Sequence, residues 1–243
     1  MFILSAGMPK SGSTLFSLYQ RDIVESILPG NGQVRFEQMI RDARVNGIGI
    51  FVHDLASEQV LDRLAAISLE TGPFVIKTHT ALTPALRRYL ASGVIRATYI
   101  HRDPRDVILS AMDHGARPPD HPARNEFFLQ FDSIPRSIPI VRQFCREGIE
   151  WISSGLCRVF TYHDLLVSPV ETLTEYSTWL GAAPDPALYG TLISRYAGNP
   201  VKGKKQYNTG KLLRYPDEMP ADMVRLCTTE LAGEIRALGY PSD

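Results

Sequence analysis

Gly7, Lys10, Ser11, Gly12, Ser13 and Thr14 crowd one short stretch with the chemistry that a phosphate group needs. Glycine lets backbone N–H groups approach closely, the hydroxyls add donors, and the lysine adds full charge. In the nucleotide-triphosphate form of such a loop, G-x-x-x-x-G-K-[ST], the lysine directly follows the second glycine. In MPKSGST it stands two places before Gly12. A second cluster is Lys77-Thr78-His79, in which lysine and histidine share one side of an extended strand. An imidazole there can take a proton at neutral pH. In a third, HRDPRD, Arg102 and Arg105 alternate with Asp103 and Asp106 at the start of a helix. Capping and ion pairing account for these aspartates. The segment thus presents cations where a magnesium-dependent kinase would need a strand-end carboxylate.

These clusters must be held by strands and helices. Four segments read as short buried strands: Phe2–Ala6, Phe74–Lys77, Ala97–His101 and Cys157–Tyr162. A helical pattern follows each, with Leu15, Leu18, Ile23 and Ile27 spaced for one face of the first helix. Thr83-Pro84 and Asp103-Pro104 each place an N-cap before a first-turn proline, and Asp164 opens a helix that Pro169 must reset. Alternating strands and helices imply an α/β fold in three layers, with a mainly parallel central sheet flanked by helices. Ligands then belong at the carboxyl ends of the strands, where all three clusters fall. GIGIFVH is a candidate further strand, and the five prolines between Gly115 and Pro139 suggest loop and short helix over the site. No linker or repeat divides residues 1–243, so one domain is expected.

Twenty-six basic and twenty-six acidic residues cancel, which leaves no global field to attract nucleic acid or a membrane surface. Three dispersed cysteines, Cys145, Cys157 and Cys227, form neither a disulfide framework nor a zinc motif. With no signal-like or spanning stretch, a reducing, cytoplasmic setting is expected.

MPKSGSTL resembles the 5′-phosphosulfate loop of the sulfotransferases, close to PKSGTTW. YIHRDPRDVILSAMDH is similar to their 3′-phosphate motif through Tyr99, Arg102, Pro104, Asp106, Ser110 and His114. FVIKTH resembles the strand and turn that carry the catalytic histidine, and TYHDLLVSP the segment near the adenine. The resemblance implies a P-loop-like sulfotransferase fold. It also implies sulfuryl transfer from 3′-phosphoadenosine 5′-phosphosulfate (PAPS), leaving 3′-phosphoadenosine 5′-phosphate (PAP), without a metal. Lys10, Ser11, Gly12, Ser13 and Thr14 would hold the 5′-phosphosulfate, Arg102 and Ser110 the 3′-phosphate, and Tyr162 would lie near the adenine. His79 would be the general base, with Lys10 and Lys77 stabilising charge around the transferred group. His114, one helical turn after Ser110, would stand behind these groups.

The chain departs from the family pattern in two places. Leu15 replaces the aromatic expected to stack on adenine, and Phe16 projects elsewhere on its helix. Near the carboxyl end Lys202 and Gly203 match the K-G of an R-K-G motif, while Val201 replaces its arginine. Five basic residues and no acidic one lie between Gly198 and Tyr215, which suits a loop over the 3′-phosphate. The expected acceptor is a small molecule with a hydroxyl, an amine being second choice. Phe36, Phe51, Phe127, Phe128 and Phe131 are candidates for its pocket. The other readings are a P-loop small-molecule kinase and a non-catalytic nucleotide-binding module; the only other expected partner is a second copy in a homodimer.

Overall fold

The structure, a computed structural model, describes residues 1–27, 37–38, 47–48, 51–52, 55–121, 124–197 and 210–242. Its centre is a sheet of six strands in the order β2-β3-β4-β1-β5-β6. The strands are β1 (Phe2–Gly7), β2 (Gly47–Ile48), β3 (Phe51–Val52), β4 (Val75–Thr78), β5 (Ile95–His101) and β6 (Arg158–Thr161). All neighbours run parallel except β2, which pairs antiparallel with β3. The three-layer expectation holds. GIGIFVH supplies two very short strands rather than one, paired through Gly47–Val52 and Ile48–Phe51.

β1 alternates its side chains between two layers, as a strand buried on both faces must. Phe2, Leu4 and Ala6 join one core with Ile76, Tyr99, Val107, Ile108 and Trp151. On the other face Ile3 packs with Val24 and Val75, beside a core of Phe16, Tyr19, Ile23, Ile100, Phe160 and Tyr176. Helix α1 (Ser13–Ile27), which follows β1, therefore covers one face. Helices α3 (Pro84–Ala91) and α4 (Pro104–Gly115), which follow β4 and β5, cover the other. When helices from adjacent parallel strands leave to opposite faces, a crevice opens at the strands' carboxyl ends. Here that crevice lies at the end of β1, between β4 and β5.

Helix α2 (Glu58–Thr71) precedes β4. Thr83 caps α3 by accepting from the Leu86 N–H at 3.2 Å, and Asp103 caps α4 through the Arg105 N–H at 2.9 Å. The Asp164 helix begins earlier than expected. Thr161 is the cap, bonded from the Asp164 N–H, so α6 (Tyr162–Val167) takes Tyr162 out of the strand and into its first turn. Pro169 does reset the chain, opening α7 (Pro169–Leu180), which ends at left-handed Gly181.

The proline-rich region differs more from expectation. After a 3-10 helix at Glu126–Gln130, helix α5 runs from Ile134 to Ser153 and takes in both Pro135 and Pro139. Pro135 sits in the first turn, where its N–H is not needed. Pro139 costs one backbone bond, but Ile134, Ile138, Val141, Cys145, Gly148 and Trp151 form a buried stripe at three- and four-residue spacing. Packing of that face outweighs the proline.

The chain closes with α8 (Pro186–Tyr196), α9 (Tyr215–Glu218), α10 (Ala221–Glu230) and α11 (Ala232–Ala237). No described helix is long and apolar enough to cross a membrane. The three cysteines are free thiols, with Cys145 and Cys227 buried.

Candidate active site

Parallel pairing sets the strand ends level. Ala6 is opposite Thr78, and Gly7 is opposite Ile100. The residues just beyond them, Met8–Thr14, His79 and Arg102, therefore emerge on one edge. The loop after β1 passes through left-handed backbone at Lys10 (φ 68°) and Gly12 (φ 80°). Curls of this kind turn successive N–H groups into an anion-binding concavity. A non-glycine residue held there stores about 1–3 kcal/mol of strain, which the surroundings must impose. The Ser11 hydroxyl does so, lying 2.6 Å from the Met8 carbonyl and 3.0 Å from that of Ile100. The Ser11 N–H also turns inward, to Met8. Ser11 thus braces the loop, where donation to the 5′-phosphosulfate was expected.

Gly12 has a second requirement. A Cβ there would come within 2.5 Å of the Tyr162 ring. The first intrahelical bond of α1 runs from the Phe16 N–H to the Gly12 carbonyl. The N–H groups of Ser13, Thr14 and Leu15 therefore belong to the first turn, which a helix leaves without internal acceptors and which favours anions. No acidic side chain occupies that turn.

At the end of β4, His79 Nδ1 lies 2.5 Å from the Gly7 carbonyl and Nε2 lies 2.9 Å from Lys77 Nζ. A carbonyl only accepts, so Nδ1 carries the proton and Nε2 is the basic nitrogen, facing the lysine. Trp151 Nε1 donates to the Thr80 carbonyl at 3.1 Å and anchors the turn behind the histidine. Burial, then repulsion from Lys10, lowers Lys77 to about 7. Burial, then the charges of Arg117 and Arg102 opposed by Asp113, lowers Lys10 to about 8. Two ammonium groups desolvated side by side favour the approach of an anion.

At the end of β5, Arg102 is buried over the Tyr162 ring, 4.3 Å from its centroid. It donates to Asp106 Oδ2 at 2.9 and 3.3 Å and to the Lys211 carbonyl at 2.9 Å. Asp106 Oδ1 accepts the N–H groups of Arg214 and Tyr215 at 2.9 and 3.0 Å. Asp103 pairs with Arg105 at 2.7 Å. Both aspartates are thus committed to caps and ion pairs, as their position suggested. Ser110 is buried on α4, eight residues after Arg102. His101 turns the other way, to the Tyr240 hydroxyl at 2.9 Å, and burial lowers it to about 4.

The structure therefore gathers Lys10, Gly12, Ser13, Thr14, Lys77, His79, Arg102 and Tyr162 around one strand edge. Lys202, Gly203, Phe36 and His53 lie outside the described residues. Leu15 and Phe16 are both core, Phe16 packing on Phe160 and Tyr176. Phe131 is buried, Phe127 is exposed, and Phe128 reaches the site, with Lys10 Nζ 5.1 Å from its ring centroid. Among the described residues no group of three His, Cys, Asp or Glu side chains could hold a metal ion. Sequence reasoning missed the Gly7 carbonyl, Trp151 and the Arg214–Tyr215 backbone as partners. A backbone acceptor has no sequence signature, and Trp151 reads only as core.

A doubly covered, mainly parallel sheet with a cationic loop at its switch point is a P-loop-like α/β architecture. The model of the sulfotransferase domain matches residues 2–183, well over half the chain, and the protein belongs to that family. Its class of reaction is sulfuryl transfer. A search of curated protein sequences gives no match. Similar solved structures include retinol dehydratase in complex with androsterone and the inactive cofactor PAP. It is 16% identical with a TM-score of 0.59, covering 97% of this chain and 80% of that one. Mouse sulfotransferase SULT7A1 complexed with PAP is 13% identical, TM-score 0.61, covering 97% and 84%. A sulfotransferase from Alicyclobacillus acidocaldarius is 16% identical, TM-score 0.50, covering 98% and 93%. At these identities the likeness is one of fold.

Proposed function

We propose that the protein transfers the sulfuryl group of PAPS to a hydroxyl of a small, partly apolar acceptor, with His79 as general base. The observation that carries this reading is the convergence of Lys10, Lys77, His79 and Arg102 at the carboxyl ends of β1, β4 and β5. The donor set fits the nucleotide: two desolvated lysines, a glycine cradle against Tyr162 and a helix N-terminus suit a phosphosulfate. Arg102 and Ser110 would hold the 3′-phosphate.

The donor supplies an already activated sulfuryl group, and the residues supply position and charge. His79 Nε2 would accept the acceptor's hydroxyl proton, the Gly7 carbonyl fixing the ring and its tautomer. Lys77 faces that nitrogen in the structure, so it must turn toward the incoming anion before His79 can act. Lys10 would stabilise charge on the departing oxygen. Phe128 beside Lys10 gives the acceptor side an aromatic wall, which favours a phenol or apolar alcohol over a long glycan. The solved retinol dehydratase complex holds androsterone, a small molecule.

Calorimetric titration with PAP, with and without EDTA, tests the donor assignment. Saturable one-to-one binding that EDTA leaves unchanged is expected; no binding in either condition contradicts it.

A further inference from the structure

His114 lies on the last turn of α4, and its Nδ1 is 3.1 Å from Lys10 Nζ. A charged lysine has only donors, so Nδ1 must be the acceptor and Nε2 must carry the imidazole proton. The contact spans two elements, the β1–α1 loop and the carboxyl end of α4. Phe128 closes it from a third, with its ring 4.5 Å from the His114 ring and 5.1 Å from Lys10 Nζ. Gly115 permits that approach, because a Cβ there would run into the Phe128 carbonyl. The lysine is thus held in a left-handed backbone, by an imidazole nitrogen and by an aromatic face.

We infer that His114 is a positioning residue for Lys10, keeping its ammonium at the place where the bond between sulfuryl group and nucleotide breaks. The inference rests on the sulfotransferase reading of the site. An imidazole suits this task better than a carboxylate, since it orients the lysine without neutralising it. Lys10 then keeps its charge for the leaving oxygen. Several other charges face the lysine. Asp113 lies on the same helix and is drawn to Arg214 at 2.7 Å, while Arg117, Arg102 and Lys77 are cationic. The Asp113 carboxylate is shared with Arg214, and the imidazole of His114 makes the contact with Lys10. Protonation of His114 would remove that acceptor and set two cations together.

Two variants and one spectrum test the inference. His114→Phe keeps the ring packing on Phe128 but has no acceptor. His114→Asn restores an acceptor oxygen but cannot take a proton at working pH. With PAPS and 2-naphthol, plus water as the competing acceptor, His114→Phe should lower kcat by about 10- to 100-fold. PAP affinity and thermal midpoint should hold, and His114→Asn should recover most of the turnover. Unchanged turnover in His114→Phe overturns the inference. If His114→Asn is as inactive as His114→Phe, the residue moves a proton itself, and the inference again fails.

Nitrogen-15 spectra of the histidine rings supply a readout independent of turnover. His114 should be the Nε2–H tautomer in the parent and lose that preference in Lys10→Met. A protonated Nδ1 in the parent contradicts the inference. Should the parent itself consume no PAPS while these spectra match expectation, the sulfotransferase reading fails and takes the positioning role with it.

Discussion

At the residue scale the site turns on nitrogen atoms brought close together. His79→Ala removes the candidate base but leaves every cation, so turnover should fall by about 10²–10⁴-fold while PAP affinity is largely kept. Single-turnover PAPS consumption beside a PAP titration checks this, and full activity would withdraw the base assignment. The lysines set a pH dependence. Lys77 and Lys10 are lowered to about 7 and about 8 in the free protein, chiefly by burial. A bound polyanion favours their charged forms and raises both, so binding takes up protons. PAP affinity should then fall as pH rises above about 7, and Lys77→Met should flatten the first part of that fall. Calorimetry in buffers of different ionisation heat measures the uptake directly; affinity that rises with pH would contradict it. Lys10, Lys77, His79 and Arg102 were legible in sequence because each is a chemically distinctive side chain at a strand end. The tautomer of His79 was not, since it depends on the Gly7 carbonyl, 72 residues away.

At the element scale two joints hold the site together. The first is the β1–α1 turn, where Gly12 adopts φ 80° with the Tyr162 ring against it. Gly12→Ala combines an unfavourable backbone with a clash. It should cost of order 1–3 kcal/mol of stability and weaken PAP binding, both measurable by thermal unfolding with and without PAP. The second is Asp106, which joins Arg102 to the backbone entering α9. Asp106→Ala leaves a buried guanidinium without its carboxylate, a loss of about 3–5 kcal/mol. Denaturant unfolding should show it, and an unchanged midpoint would mean that the joint is unimportant. The caps at Thr83 and Asp103 could be read in advance because capping is local chemistry. Helix α5 could not, because its stability comes from a face buried against distant strands, which prevails over Pro139.

At the scale of the whole molecule, the order β3-β4-β1-β5-β6 places a crevice at the end of β1, where the helices change face. The α/β class followed from alternating patterns, and so did the expectation of a ligand at the strand ends. The switch point itself did not, since strand order is a long-range property that no periodicity encodes. A ligand at this central edge touches loops from three strands and should stabilise the entire sheet. PAP at one hundred times its dissociation constant should add about 2.7 kcal/mol, seen as a concentration-dependent rise in unfolding midpoint. Sulfuryl transfer is tested by mass spectrometry of the protein incubated with PAPS and a panel of phenols and apolar alcohols. One acceptor should gain a sulfonate for each PAP released, at a rate about 10²–10⁴-fold lower in His79→Ala. Intact PAPS across the panel, with magnesium-dependent ATP consumption in its place, would contradict it.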